Sequence, residues 1–219
     1  PHTWRYRVQW KPAAWPSPDA PLSRDGATRW LILADRYGLA EALQQRLEAR
    51  GQSCRLLAYD AALAVPPEDS VEGWRGRDAA IRCAIDQLLE SEDAPLRGVV
   101  HLWSAELGNP APGASVDLRT AQTLGCDAVL HLVRGLVARG SLGTPRLWLV
   151  TRGTQPVLPG DAVSVAPPPL WGLGKTIGFE LPELKCGLVD LDPALEAPAA
   201  ADQLLRQLSA NDDEDQIAI

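Results

Sequence analysis

Five short strand-like runs, most of them continuously apolar and separated by segments of helical rhythm, constrain this chain more than any other feature. They are WLILA (Trp30–Ala34), SCRLLAYD (Ser53–Asp60), GVVHLWS (Gly98–Ser104), RLWLVT (Arg146–Thr151) and GLVDLD (Gly187–Asp192). A run that is apolar at successive positions fits a strand covered on both faces, the condition met in parallel sheets. Between the runs, Leu39, Leu43 and Leu47 recur every fourth residue ahead of a stop at Gly51. After a polar, proline-containing loop through Gly76, Ile81, Ile85, Leu88 and Leu89 share one helical face, with Asp78 as the expected N-cap. Ser115 stands ready to cap a long helix carrying Leu118, Ala121, Leu124, Ala128, Leu132 and Leu136 as far as Gly140. Pro168–Glu180 reads as helical, and Leu204, Leu205 and Leu208 form the apolar face of a last helix. This alternation over residues 30–209 predicts an α/β fold: a truncated Rossmann-like parallel sheet with helices on both faces.

The ends read differently. In TWRYRVQW (Thr3–Trp10), Trp4, Tyr6, Val8 and Trp10 alternate with polar residues, as in a half-buried antiparallel edge strand. Lys11–Thr28 holds four prolines and reads as a linker. The expected organisation is therefore a strand and proline-rich linker over 1–28, a Rossmann-like subdomain over 29–209, and an acidic tail over 210–219 leading to whatever domain follows.

With 219 residues, 46% of them hydrophobic, the chain has ample material for a core. A net charge of −7 without any Lys/Arg-rich run argues against nucleic acid or an anionic membrane as partner. No apolar run reaches the roughly 18 residues of a bilayer span, and no signal-like segment opens the chain, so a cytoplasmic location is expected. A start at Pro1 and the absence of Met point to a piece of a longer polypeptide. Cys54, Cys83, Cys126 and Cys186 are far apart, make no CxxC spacing and fall in apolar segments, as buried reduced thiols do.

Nucleotide-binding Rossmann domains need glycines between the first strand and helix, so that backbone N–H groups can reach the pyrophosphate. Here that turn is Ala34, Asp35, Arg36, Tyr37, Gly38, with one glycine and an acid where phosphates would sit. Arg36 reads as a solvated loop arginine. The GKT at Gly174–Thr176 suggests a phosphate loop, but the position of that motif's first glycine is Pro169, within a PPP run that lacks N–H donors. Gly172, Gly174, Lys175 and Thr176 are then helix residues, with Leu170, Leu173 and Ile177 facing the core and the two glycines permitting close approach to the sheet. Ketone reduction needs a tyrosine acid with a lysine four residues on; after Tyr6, Tyr37 and Tyr59 that position holds Trp10, Glu41 and Leu63. His101, inside an apolar run, reads as a core histidine. No residue is assigned a catalytic, cofactor-binding or metal-binding role.

WRYRVQW, GVVHLWS, PRLWLVTRGTQPV, PPLWGLGKTIGFELPEL and GLVDLDP, in that order, resemble the N-terminal structural subdomain of ketoreductases in modular type I polyketide synthases, which are short-chain dehydrogenase/reductase-like. The abundance of arginine, eighteen against three lysines, matches a GC-rich bacterial source. The resemblance implies a scaffold without chemistry of its own, with NADPH and the catalytic residues carried by a partner catalytic subdomain. It also implies neighbouring synthase domains (enoylreductase, dehydratase or methyltransferase), and leaves open a pseudo-ketoreductase whose catalytic half is lost. The rival expectation is a reductase active in its own right, with Arg36 and the turn from Gly172 to Lys175 as improvised NADPH contacts.

Overall fold

The computed structural model describes residues 9–15, 28–58, 71–90, 94–107, 118–139, 145–164, 168–210 and 214–219. Six strands form one sheet: β1 (Arg29–Ala34), β2 (Ser53–Ala58), β3 (Leu96–His101), β4 (Arg146–Arg152), β5 (Gly187–Leu191) and β6 (Gln216–Ala218). Their order is β2-β1-β3-β4-β5-β6, and every neighbouring pair is parallel. The helices are α1 (Leu39–Glu48), α2 (Val71–Leu89), α3 (Trp103–Leu107), α4 (Leu118–Gln122), α5 (Ala128–Ala138), α6 (Pro168–Glu180) and α7 (Ala197–Ser209), with a π-helical turn at Thr123–Asp127 joining α4 to α5. The architecture is the Rossmann-like parallel α/β sheet that the alternation predicts.

Strand geometry explains why the runs of the central strands are apolar, whereas β2, at the sheet edge, carries Ser53 and Arg55 and is largely exposed. Successive side chains point to opposite faces. Leu31, Leu33, Val99, Leu147, Leu149 and Leu188 therefore enter the core under α2, α5 and α6, while Trp30, Ile32, Val100, Trp148, Val150 and Val189 enter the one under α1 and α7. Leu39, Leu43 and Leu47 of α1 are buried, as are Ile81, Ile85, Leu88 and Leu89 of α2 and Leu204, Leu205 and Leu208 of α7. Among the described residues, no helix is long and apolar enough to cross a membrane.

Several boundaries differ from the sequence reading. Helix α2 begins at Val71, inside the expected loop, so Asp78 lies within the helix; its carboxylate meets His131 Nε2 at 2.7 Å instead of capping. The third apolar run splits: the strand ends at His101, and Trp103 and Ser104 belong to the short buried helix α3. Leu118, expected on the buried face, is exposed at the first position of α4. Gln216–Ala218, expected within an acidic tail, forms β6 beside β5, where Ile217 and Ile219 pack against the α1/α7 core. The expected opening strand, Thr3–Trp10, lies outside the described residues except for Gln9 and Trp10. Trp10 packs edge-on against Trp171, with ring centroids 5.9 Å apart. Ser115 also lies outside the described residues.

Candidate functional site

In open parallel α/β sheets, ligands bind beyond the carboxyl ends of the strands, at the point where the strand order reverses. Here that point lies between β1 and β3. The turn leaving β1 is closed by Asp35, which is buried: Oδ1 accepts the N–H of Ala40 at 2.8 Å, and Oδ2 accepts those of Tyr37 at 2.9 Å and Leu39 at 3.3 Å. A carboxylate thus takes N–H groups at the positive end of α1 that a bound phosphate would need. Gly38, at φ +87°, provides the left-handed step into the helix.

Arg36, expected to be solvated, is an ion-pair partner. Its backbone N–H and Nε donate to Glu106 at 3.1 and 2.6 Å, and a terminal guanidinium nitrogen lies 2.5 Å from the same carboxylate. The Glu106 side chain is only 4% exposed, so the pair seals β1 to α3. Below it, His101 is fully buried and its Nε2 lies 2.9 Å from the Leu124 carbonyl. Burial pulls its imidazole down to about 4, against the opposing effect of that bond. It is a core histidine, as the sequence suggests.

A second polar cluster lies at the ends of β4 and β5. Asp190, buried, accepts hydrogen bonds from Thr151 Oγ1 (2.7 Å), Thr154 Oγ1 (2.8 Å), Thr154 N (2.9 Å) and Gln155 N (2.9 Å). Trp171 Nε1 donates to Thr151 Oγ1 at 2.9 Å, extending the network into α6. Burial lowers the Arg152 guanidinium, opposed by the carboxylates of Asp35, Asp192, Asp190 and Glu196. Beside the network a pocket of about 320 Å³ opens between the loop after β4 and the ends of β5 and β6, with Val157, Leu158, Leu191, Pro193 and Ile219 among its walls.

The glycine-rich part of α6 directly follows Trp171. Leu170 and Ile177 are buried, as expected, and Leu173 is half-buried. A Cβ on Gly174 would lie 2.6 Å from Leu188, so this glycine does permit close approach to the sheet. Gly172 does not: a Cβ there meets nothing within 4 Å. Lys175 and Thr176 are exposed, and Thr176 Oγ1 donates back to the Gly172 carbonyl. Four residues before Lys175 stands Trp171, whose indole N–H has no titration with which to serve as an acid. Among the described residues no group of His, Cys, Asp and Glu is placed to hold a metal. The four cysteines are free; Cys186 is buried, Cys54 and Cys126 are half-buried, and Cys83 is exposed, contrary to expectation.

Sequence reading missed the Asp190 network and the burial of Glu106. Asp190 carried a usable signal, because an acid inside a run covered on both faces must find donors. Glu106 carried none, since the five-residue helix α3 that holds it is too short to show a periodicity.

Residues 8–219 match the family model described as the polyketide synthase extender module SpnB, Rossmann fold domain. A phenolphthiocerol/phthiocerol polyketide synthase from Mycobacterium tuberculosis is 29% identical over 93% of the chain, and the pikromycin polyketide synthase component PikAII from Streptomyces venezuelae is 34% identical over 99%. The chain spans 12% and 5% of the lengths of these multidomain relatives. The first ketoreductase of the tylosin synthase aligns at TM-score 0.62 and 26% identity, over 99% of this chain and 38% of its own. A short-chain dehydrogenase/reductase from Vibrio parahaemolyticus shares the fold at TM-score 0.56 and 16% identity, over 87% of this chain and 98% of its own.

Proposed function

This chain belongs to the polyketide synthase Rossmann-fold domain family of extender module SpnB, a domain of the ketoreductase region, and from that premise we propose that it is a non-catalytic scaffold. On this reading it supports NADPH-dependent β-keto reduction performed by a separate unit of the synthase, and binds no cofactor itself. The observation that carries the reading is the turn from Ala34 to Gly38, where Asp35 engages three backbone N–H groups at the start of α1. A dinucleotide there would meet a buried carboxylate instead of open donors, with a second carboxylate, Glu106, held close by. Anion and anion repel, and neither can leave without exposing buried partners.

The second support is chemical. The lysine of α6 has a tryptophan four residues before it, so proton donation to a carbonyl by a phenol paired with that lysine has no group to perform it. The Thr151 hydroxyl is committed to Asp190 and Trp171 and is not available to polarise a carbonyl.

The test uses the full synthase polypeptide. Lys175→Ala and Arg36→Ala are expected to leave kcat for NADPH-dependent β-keto reduction within twofold of wild type. A hundredfold fall in kcat with intact folding in either variant would show that this domain takes part in chemistry.

A further inference from the structure

We propose that the pocket between the loop after β4 and the ends of β5 and β6 is a binding site for a small organic cation, an ammonium group carried on a compact apolar body. It stands apart from the scaffold reading, because neither Asp35 nor Lys175 lines the pocket. The pocket lies beyond the carboxyl ends of β4, β5 and β6, the side of an open parallel sheet on which ligands bind. Its volume of about 320 Å³ is at the low end of small-molecule sites, which run from roughly 300 to 1,000 Å³. That size fits one ring with a short substituent and is too small for a dinucleotide.

Hydrogen bonds build the outer wall in advance of any ligand. Gly153 N donates to the Leu191 carbonyl at 2.9 Å, and the Gly153 carbonyl accepts the N–H of Ser164 at 2.8 Å, closing the loop on itself. Asp190 holds the N–H groups of Thr154 and Gln155, each at 2.9 Å. Asp161 Oδ2 accepts those of Val157 at 3.0 Å and Leu158 at 2.7 Å. At Gly153, with φ +59°, a Cβ would lie 3.1 Å from Pro193, so the loop is pressed against the segment that follows β5. These bonds leave Val157 40% and Leu158 66% exposed. Leu191, Pro193 and Ile219 continue the apolar lining. A preformed pocket with apolar walls open to water gains from covering them, at little cost in ordering the loop.

Charge selects the occupant. Among the described residues, the polar side chains of the lining are Gln155, Asp161, Asp190 and Asp192, with no Lys, Arg or His. Asp190 is taken up by the β4 network, whereas Asp161 and Asp192 are exposed. Arg152, just before the loop, donates to the Leu195 carbonyl at 2.7 Å and feels the carboxylates of Asp35, Asp192, Asp190 and Glu196 around it, so it leaves the region negative. The acids do not form a metal site, since among the described residues no group of His, Cys, Asp and Glu is placed to hold an ion. Negative charge without chelating geometry, set among apolar walls, favours a monocation on a hydrophobic body and disfavours carboxylates and phosphates.

The experiment irradiates the full synthase polypeptide with three photoreactive probes of one shape and maps the labelled peptides by mass spectrometry. The probes are para-(trifluoromethyldiazirinyl)benzylammonium, the corresponding benzyl alcohol and the corresponding benzoate. The ammonium probe is expected to label the peptides of residues 153–164 and 190–193 saturably, and excess benzylammonium to compete it away. The alcohol is expected to half-saturate at about fivefold higher concentration, as for the loss of one exposed ion pair, and the benzoate to stay at background. Asp192→Asn is expected to raise the half-saturation of the ammonium probe by a similar factor, about fivefold, and to leave that of the alcohol unchanged. Leu158→Ser is expected to weaken labelling by both probes, while Val163→Ser, on the same loop outside the pocket, changes neither; all three variants should keep the wild-type Tm. Equal labelling by the three probes, or an ammonium half-saturation indifferent to Asp192→Asn, would overturn the choice of a cation. Labelling that does not saturate at these peptides, or that Leu158→Ser leaves intact, would overturn the site itself. Neither result bears on whether the domain is a scaffold.

Discussion

His101 offers a measurement whose size follows from its position. It lies in the middle of the sheet, with Leu33 and Leu149 as its register partners on β1 and β4, and its side chain is fully buried. The imidazole titrates near 6.5 when unfolded and at about 4 in the fold, mainly because burial disfavours the charged form. Between those values the unfolded chain binds a proton that the native one does not. Stability therefore falls as pH drops below about 6.5 and the loss levels off below about 4. The full gap is worth about 3 kcal/mol at roughly 1.36 kcal/mol per pH unit, and most of it is lost by about pH 4.5. Other groups titrate in this range, so the assay is urea denaturation of wild type and His101→Gln at pH 7 and pH 4.5. The stability advantage of wild type over the variant is expected to shrink by about 2–3 kcal/mol between the two. A difference that stays constant within about 0.5 kcal/mol would refute the claim that burial holds this histidine neutral.

Three further outcomes follow from packing and chemistry. Gly174→Ala is expected to destabilise by about 1–3 kcal/mol by overpacking against Leu188 and Leu149, whereas Gly172→Ala, facing open space, is expected to stabilise the fold by up to about 1 kcal/mol; thermal unfolding of both variants reads the contrast. Asp190→Ala strands the buried N–H of Thr154, leaves the Gln155 N–H without its acceptor and removes the shorter acceptor of Thr151 Oγ1, and is expected to cost on the order of 3 kcal/mol in denaturant unfolding. Burial pushes the Cys54 and Cys186 thiols up to about 12, so mass spectrometry after brief iodoacetamide treatment at pH 8 is expected to find Cys83, which is exposed, alkylated well ahead of them.

The sheet was legible because its central strands are covered on both sides and its helices keep strong periodicity. Trp30–Ala34 and Arg146–Thr151 have no polar alternation that would allow another reading, and the start and end of α6 coincide with Pro168 and Glu180. Edges were less legible for equally physical reasons. Three residues, Gln216–Ala218, directly after the acidic run ending at Asp215, are too short for pattern to compete with charge, yet Ile217 and Ile219 add enough apolar contact to complete β6. Asp78 has the chemistry of a cap, but a helix that begins seven residues earlier gives it another partner, His131. At the candidate site, the missing glycines around Asp35 and the missing tyrosine before Lys175 were visible in the sequence. What filled those places was not: the bonds from Asp35 to α1, the Arg36–Glu106 pair and the Trp171–Thr151–Asp190 chain all depend on contacts between residues distant in sequence or on the path of the turn.

The most direct test of the scaffold account is a calorimetric titration of these 219 residues with NADPH. The account predicts no binding at millimolar concentration, because the N–H groups at the start of α1 are already bonded to Asp35. Saturable binding at micromolar concentration, by a folded sample, would contradict it.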